Sequence, residues 1–174
     1  MRVVRAHFGD SRQSLTGIFN DTLEGVQITE IIAFARTLPG VIAETADEAS
    51  GAPEIAWGDT FIYYGPAHSR MPFATIVTKD YPGFDTESDL DRPGVFRLNI
   101  GVGRREFARL IGYPPAAHAD QPAQPDYTGL DRLLPHPAYA VQAWVSILNP
   151  GPHTAAQARS LLTQAHARAA RTPG

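Results

Sequence analysis

The sequence contains no cysteine, which excludes disulfide bridges, zinc–thiolate and iron–sulfur sites, and thiol nucleophiles together. The redox compartment is left unmarked. Lysine is nearly absent: of 15 basic residues only Lys79 is a lysine. No run of Lys and Arg reaches about five residues, and the net charge is −3. Both facts argue against nucleic acid, whose phosphates call for a clustered basic face. No stretch approaches the ~20 apolar residues of a membrane span. Arg2 and Arg5 lack the following apolar run of a secretory signal. A cytoplasmic protein without membrane contact is expected. Catalytic signatures are missing as well: there is no G-x-S-x-G elbow, no S-x-x-K and no H-E-x-x-H.

What is present is the make-up of one globular domain. The chain has 174 residues, 43% of them apolar, enough for a core without staples and too short for two ordinary domains. Residues 1–25 show no period and are broken up by Gly9, Asp10, Ser11 and Ser14. They are expected to form a disordered extension, and a native start at Val26 is one explanation of it. Residues 26–171 are patterned as a single domain.

In that domain Ile28, Ile31, Ile32, Ala35 and Leu38 form one helical stripe, stopped by Pro39-Gly40. Residues 44–52 read as a loop. Short strands are predicted at 54–57, 60–64, 73–78, 95–101 and 142–148. The strand at 95–101 has the clearest alternation. Phe96, Leu98 and Ile100 point one way, Arg97 and Asn99 the other, so its second face is wet or lines a site. A helix is predicted over 104–111 with Gly112 as its stop. Four prolines make 113–127 a mobile loop. Leu130 to Leu134 reads as a helical turn or a short strand. Thr154 and Gln157 are spaced as a capping box for a last helix that buries Ala158, Leu161, Leu162, Ala165 and Ala169. Long parallel crossovers are lacking. The economical arrangement is α+β, a small antiparallel sheet with helices packed on one face.

The polar face of that sheet is where chemistry is expected. Arg97 beside Asn99, with Lys79 ending a neighbouring strand, has the make-up of a fork for a carboxylate or phosphate; the alternative is a solvated face with surface ion pairs. His136, held between two prolines with Asp131 nearby in sequence, has the make-up of an oriented general base; the alternative is a histidine that caps a turn. Asp85, Glu87, Asp89 and Asp91 compose an acidic loop without the glycine and closing glutamate of a calcium site, so a turn is expected and no metal. Gly101-Val102-Gly103 before a helix offers amides to an anion but is no dinucleotide fingerprint. Most of the aromatics are assigned to the core, with Trp57 and Tyr64, out of phase with Phe61 and Tyr63, set apart to line a pocket or partner surface.

Several blocks carry a resemblance. They are Pro53-Glu54-Ile55-Ala56-Trp57-Gly58-Asp59, Phe73-Ala74-Thr75-Ile76-Val77-Thr78-Lys79-Asp80, Asp89-Leu90-Asp91-Arg92-Pro93-Gly94 with Arg97-Leu98-Asn99-Ile100, Leu134-Pro135-His136-Pro137 and Trp144-Val145-Ser146-Ile147-Leu148-Asn149-Pro150. Together they resemble a mainly actinobacterial domain-of-unknown-function family over about residues 27–170. The layout is more distantly similar to the MmcQ/YjbR-like proteins, which implies a frataxin-like architecture and raises DNA binding. Their usual lysine is Asp59 here, which tells against that transfer. The resulting expectation is a binding or interaction module without a cofactor. It would take a small anionic ligand or a protein partner through Arg97, Asn99, Lys79 and Trp57. The alternatives are a cofactor-free hydrolase with His136 as base and Asp131 orienting it, and a DNA-binding protein.

Overall fold

The computed structural model describes residues 25–65 and 71–171. The expectations for the N-terminal extension lie outside them, except at Gly25. Three helices, α1 (Ile28–Arg36), α2 (Arg104–Ile111) and α3 (Ala155–Arg171), accompany six strands. The strands are β1 (Val41–Thr45), β2 (Thr60–Tyr64), β3 (Ala74–Val77), β4 (Arg97–Gly101), β5 (Leu133–Pro135) and β6 (Trp144–Leu148). They form one sheet in the order β1-β2-β3-β4-β6-β5, antiparallel at every junction. The fold is α+β.

Register explains why the two sheet faces differ. Residues opposite each other across a ladder share a face. Ile62 lies opposite Ala74, Ala74 opposite Ile100, and Ile100 opposite Val145; Ile76, Leu98 and Ile147 make a second such row. These side chains are fully buried and join Ile31 and Ala35 of α1 and Ala158, Leu161, Leu162 and Ala165 of α3 in one core. Of the expected stripes, Ile28, Ile32 and Ala169 are only partly buried against this core, and Leu38 lies beyond the end of α1. Phe107 anchors α2 to the same core. On the other face, Phe61 lies opposite Thr75, Thr75 opposite Asn99, and Asn99 opposite Ser146, with Val77 opposite Arg97.

Three local expectations are corrected. Residues 54–57 are not a strand: Glu54–Ala56 form a 3₁₀ turn, in which the amides of Ala56 and Trp57 bond back to the carbonyls of Pro53 and Glu54 instead of to a neighbouring strand. The strand β1, missing from the sequence reading, begins directly after Gly40 and pairs along all of β2. The prolyl segment 113–127 is pinned by buried His118, whose ring nitrogens meet the hydroxyls of Tyr113 and Tyr127 at 2.9 and 3.2 Å.

The start of α3 is held from a distance. The hydroxyl of Thr154, expected to form a capping box, donates instead to Asp131 at 2.6 Å. Asp131 sits at a φ of 52°, and its carboxylate also accepts the amides of Gly151, His153 and Thr154. Burial raises its pKa and these bonds lower it; the bonds win, so the group stays a carboxylate. Position 151 is glycine because an added Cβ would lie 2.8 Å from the Asp131 carboxylate. Asp131→Ala is expected to lower the unfolding free energy by about 1–2 kcal/mol in urea titrations, with Asp131→Asn recovering part of it.

Candidate functional site

The second face of the sheet is neither solvated nor flat. The β3–β4 connection folds back over it, bringing Tyr81, Phe84 and Asp85 above Val77, Arg97 and Asn99. The β5–β6 connection closes the other side with His136, Tyr139 and Gln142. Between them opens a hollow of about 530 Å³, within the range of small-molecule sites (~300–1,000 Å³). Its walls are mainly aromatic: Phe61 and Tyr63 from β2, Trp144 from β6, and Phe84 and Tyr139 from the connections. Met71, Phe84 and Tyr139 remain 84%, 58% and 40% exposed at its lining, which leaves an uncovered apolar rim. The phase expected of the aromatics is thus reversed. Phe61 and Tyr63 line the hollow, whereas Tyr64 packs on the core side against His166.

Arg97 lies at the floor, 1% exposed. Nε donates to Asn99 Oδ1 at 2.9 Å, Nη1 donates to Asp85 Oδ1 at 3.0 Å and to Ser88 Oγ at 2.7 Å, and Nη2 donates to Asp85 Oδ2. Four of the five N–H groups a guanidinium carries are therefore used. The carboxylate gripped by this fork is the protein's own. Asn99 shares the floor and passes its amide on to Thr75 Oγ1 at 3.0 Å. The acidic loop supplies the counter-ion of Arg97, and among the described residues no group of three or more His, Asp or Glu is placed to hold a metal.

His136 is 2% exposed and lines the same hollow. Its Nδ1 accepts two backbone amides, from Ala138 at 3.0 Å and Tyr139 at 3.1 Å. A nitrogen that accepts two N–H bonds carries no proton, so the proton is on Nε2. Burial, and then the charge of Arg97, push the pKa well below the ordinary histidine value. The ring is a neutral donor locked in one tautomer. Asp131 is not its orienting partner: that carboxylate is spent at the start of α3.

A second buried carboxylate sits at the β2 edge of the hollow. Asp59 is 1% exposed and accepts the amide and hydroxyl of Thr78 at 2.9 and 3.1 Å, and the hydroxyl of Tyr81. Burial and then this bond raise the Tyr81 pKa, so the ring stays a phenol. Lys79 and Trp57 stand outside the hollow. The Lys79 ammonium donates to the Trp57 carbonyl, and the Trp57 indole to the Ala52 carbonyl.

Of the four side chains expected to bind a ligand, Arg97 and Asn99 are brought together at the floor; Lys79 and Trp57 are joined to each other elsewhere. Of the two expected to catalyse, His136 reaches the site and Asp131 does not. Sequence reasoning missed Asp85 as the arginine's partner, Asp59 with Tyr81, and the aromatic walls. The signal for the walls was the alternation of Phe61 and Tyr63 with Thr60 and Ile62.

Removing one partner of a buried ion pair strands the other charge, at about 3–5 kcal/mol. Arg97→Met should lower stability by that order in guanidinium melts, and Arg97→Met/Asp85→Asn should cost less than Arg97→Met alone. Additive costs would mean that the two groups do not depend on each other.

No curated protein and no solved structure matches this chain. A family model described as a family of unknown function (DUF6194) matches residues 26–173. The match spans the helices, all six strands and every residue of the hollow, and the chain belongs to the DUF6194 family.

Proposed function

We propose that the protein is a non-enzymatic binding module whose hollow takes an uncharged, largely aromatic small molecule bearing a carbonyl-type acceptor. The carrying observation is the pairing of two fixed features on one floor: the Nε2–H of His136, locked as a donor, and a guanidinium already neutralised by Asp85. The charged side chains of the lining are Arg97, Asp59 and Asp85, a formal −1 with His136 neutral. A negatively charged ligand would meet two carboxylates and an occupied fork, so the expected preference for an anion gives way to one for a neutral acceptor. Concavity favours a small molecule over a protein partner, whose typical interface is broader and flatter.

A hydrolase with His136 as base finds no support in this geometry. A base would need an unprotonated Nε2, and the two amides facing Nδ1 oppose the tautomer that provides it. DNA binding gains nothing from an aromatic hollow of net negative charge. The distant likeness to MmcQ/YjbR-like proteins and a cytoplasmic location belong to this reading too. One antiparallel sheet with helices against one face is compatible with the former, and the absence of a helix long and apolar enough to cross a membrane among the described residues with the latter.

Benzamide and benzoate share a shape and differ in charge, which makes them a direct test. The chain has two tryptophans, so indole N–H signals in a ¹⁵N-labelled sample report the hollow through Trp144 and the exterior through Trp57. Benzamide is expected to shift Trp144 alone with a Kd on the order of 1–10 mM, as suits so small a ligand. Benzoate should bind several-fold more weakly, by roughly the energy of one charged contact, and His136→Phe, which removes the donor, should weaken benzamide binding. Tighter benzoate binding, or shifts confined to Trp57, would contradict the proposal.

A further inference from the structure

A second concavity, of about 560 Å³, opens between α2 and the C-terminal turns of α3. Arg104, Arg105, Arg109, Arg168 and Arg171 line it, with Glu106 as the single acid. These are five of the chain's fourteen arginines. The groove carries five positive charges and one negative, a formal +4, on a chain whose net charge is −3; the rest of the molecule therefore sums to −7. Arg104, Arg105 and Arg109 come from α2, and packing brings Arg168 and Arg171 of α3 beside them.

Three of these arginines carry charge that no acid within the groove answers. Among the described residues Arg109 pairs with Glu106, while Arg104, Arg105 and Arg171 are exposed and make no ion pair. Arg168 is fixed against the sheet by donating to the carbonyls of Gly101 and Val102. Position 103 is glycine at a φ of 81°, and a Cβ there would lie 3.2 Å from Nη1 of Arg168. Burial, and then the like charge of Arg171, disfavour the protonated form of Arg168; an anion between the two would relieve that repulsion. Guanidinium groups facing one open groove are suited to phosphate oxygens, which they meet two at a time.

We infer that this groove binds a compact polyanion of two or three linked phosphate groups, at a place distinct from the aromatic hollow. Length decides between this and a nucleic acid. A short polyphosphate is covered by the groove itself, whereas a strand running beyond it enters the field of the remaining −7 and is repelled. Val102 and Gly103, from the run before α2 whose amides the sequence offered to an anion, border the same groove, but the arginines carry the binding.

The probe is inorganic tripolyphosphate, titrated calorimetrically into the full chain, with sodium sulfate at matched ionic strength as the control. Tripolyphosphate is expected to bind and sulfate not, with an affinity that falls as salt is raised. Arg105→Gln/Arg171→Gln, two exposed positions, should weaken binding by about tenfold or more. Its circular dichroism and the benzamide response at Trp144 should stay unchanged, which separates this site from the hollow. Absence of tripolyphosphate binding, equal binding by sulfate, or binding unaffected by the double substitution would overturn the inference. Tighter binding of a ~20-nucleotide DNA strand than of tripolyphosphate would overturn it in favour of nucleic acid.

Discussion

The second face of this sheet depends on one buried ion pair. Arg97 in the central strand β4 cannot reach water, since both faces of that strand are covered. A buried guanidinium persists only with a partner and satisfied donors. Asp85 provides the partner, and to do so the β3–β4 connection must lie over the sheet instead of looping away from it. Once there, it places Tyr81 and Phe84 as walls, and buries its own Ser88 and Leu90. The hollow is thus a consequence of finding Asp85 for Arg97. No buried side-chain nitrogen or oxygen among the described residues is left without a partner, as a stable polar floor requires.

The same pair sets what the hollow can recognise. A free arginine beside an amide would attract anions; an arginine closed by a carboxylate offers a neutral floor. His136 then becomes the selective group, because its backbone contacts fix which nitrogen donates. Positive charge is available instead at the α2–α3 groove. The molecule separates an aromatic, nearly neutral concavity from a basic one, although its composition shows only a mild negative charge.

Much of this was legible in the chain. Strict alternation put Arg97 and Asn99 on one face of β4 and Leu98 and Ile100 on the other, and the register agrees. The stripes of α1 and α3 were equally plain, because a period of 3.6 over many residues has few other readings. The partner of Arg97 was not legible. Asp85 lies twelve residues away in a loop without period, among three other acids of equal claim, and only tertiary packing selects it. Asp131 looked close to His136 in sequence, but five residues spanning a strand carry them to different ends of β5. The phase of Phe61 and Tyr63 was misjudged because both faces of β2 are partly covered, so burial alone did not say which face held the core. Strand β1 escaped notice since a five-residue edge segment with Glu44 and Thr45 carries little pattern.

The central claim is that the floor of the hollow presents fixed donors and no spare positive charge, and the protonation state of His136 reports it most directly. Long-range ¹H–¹⁵N correlation spectra of the imidazole should show a neutral ring with its proton on Nε2 throughout a titration from about pH 7.5 to about pH 5.5, although an ordinary histidine titrates near ~6.5. An imidazolium appearing within that range, or a neutral ring protonated on Nδ1, would contradict the account.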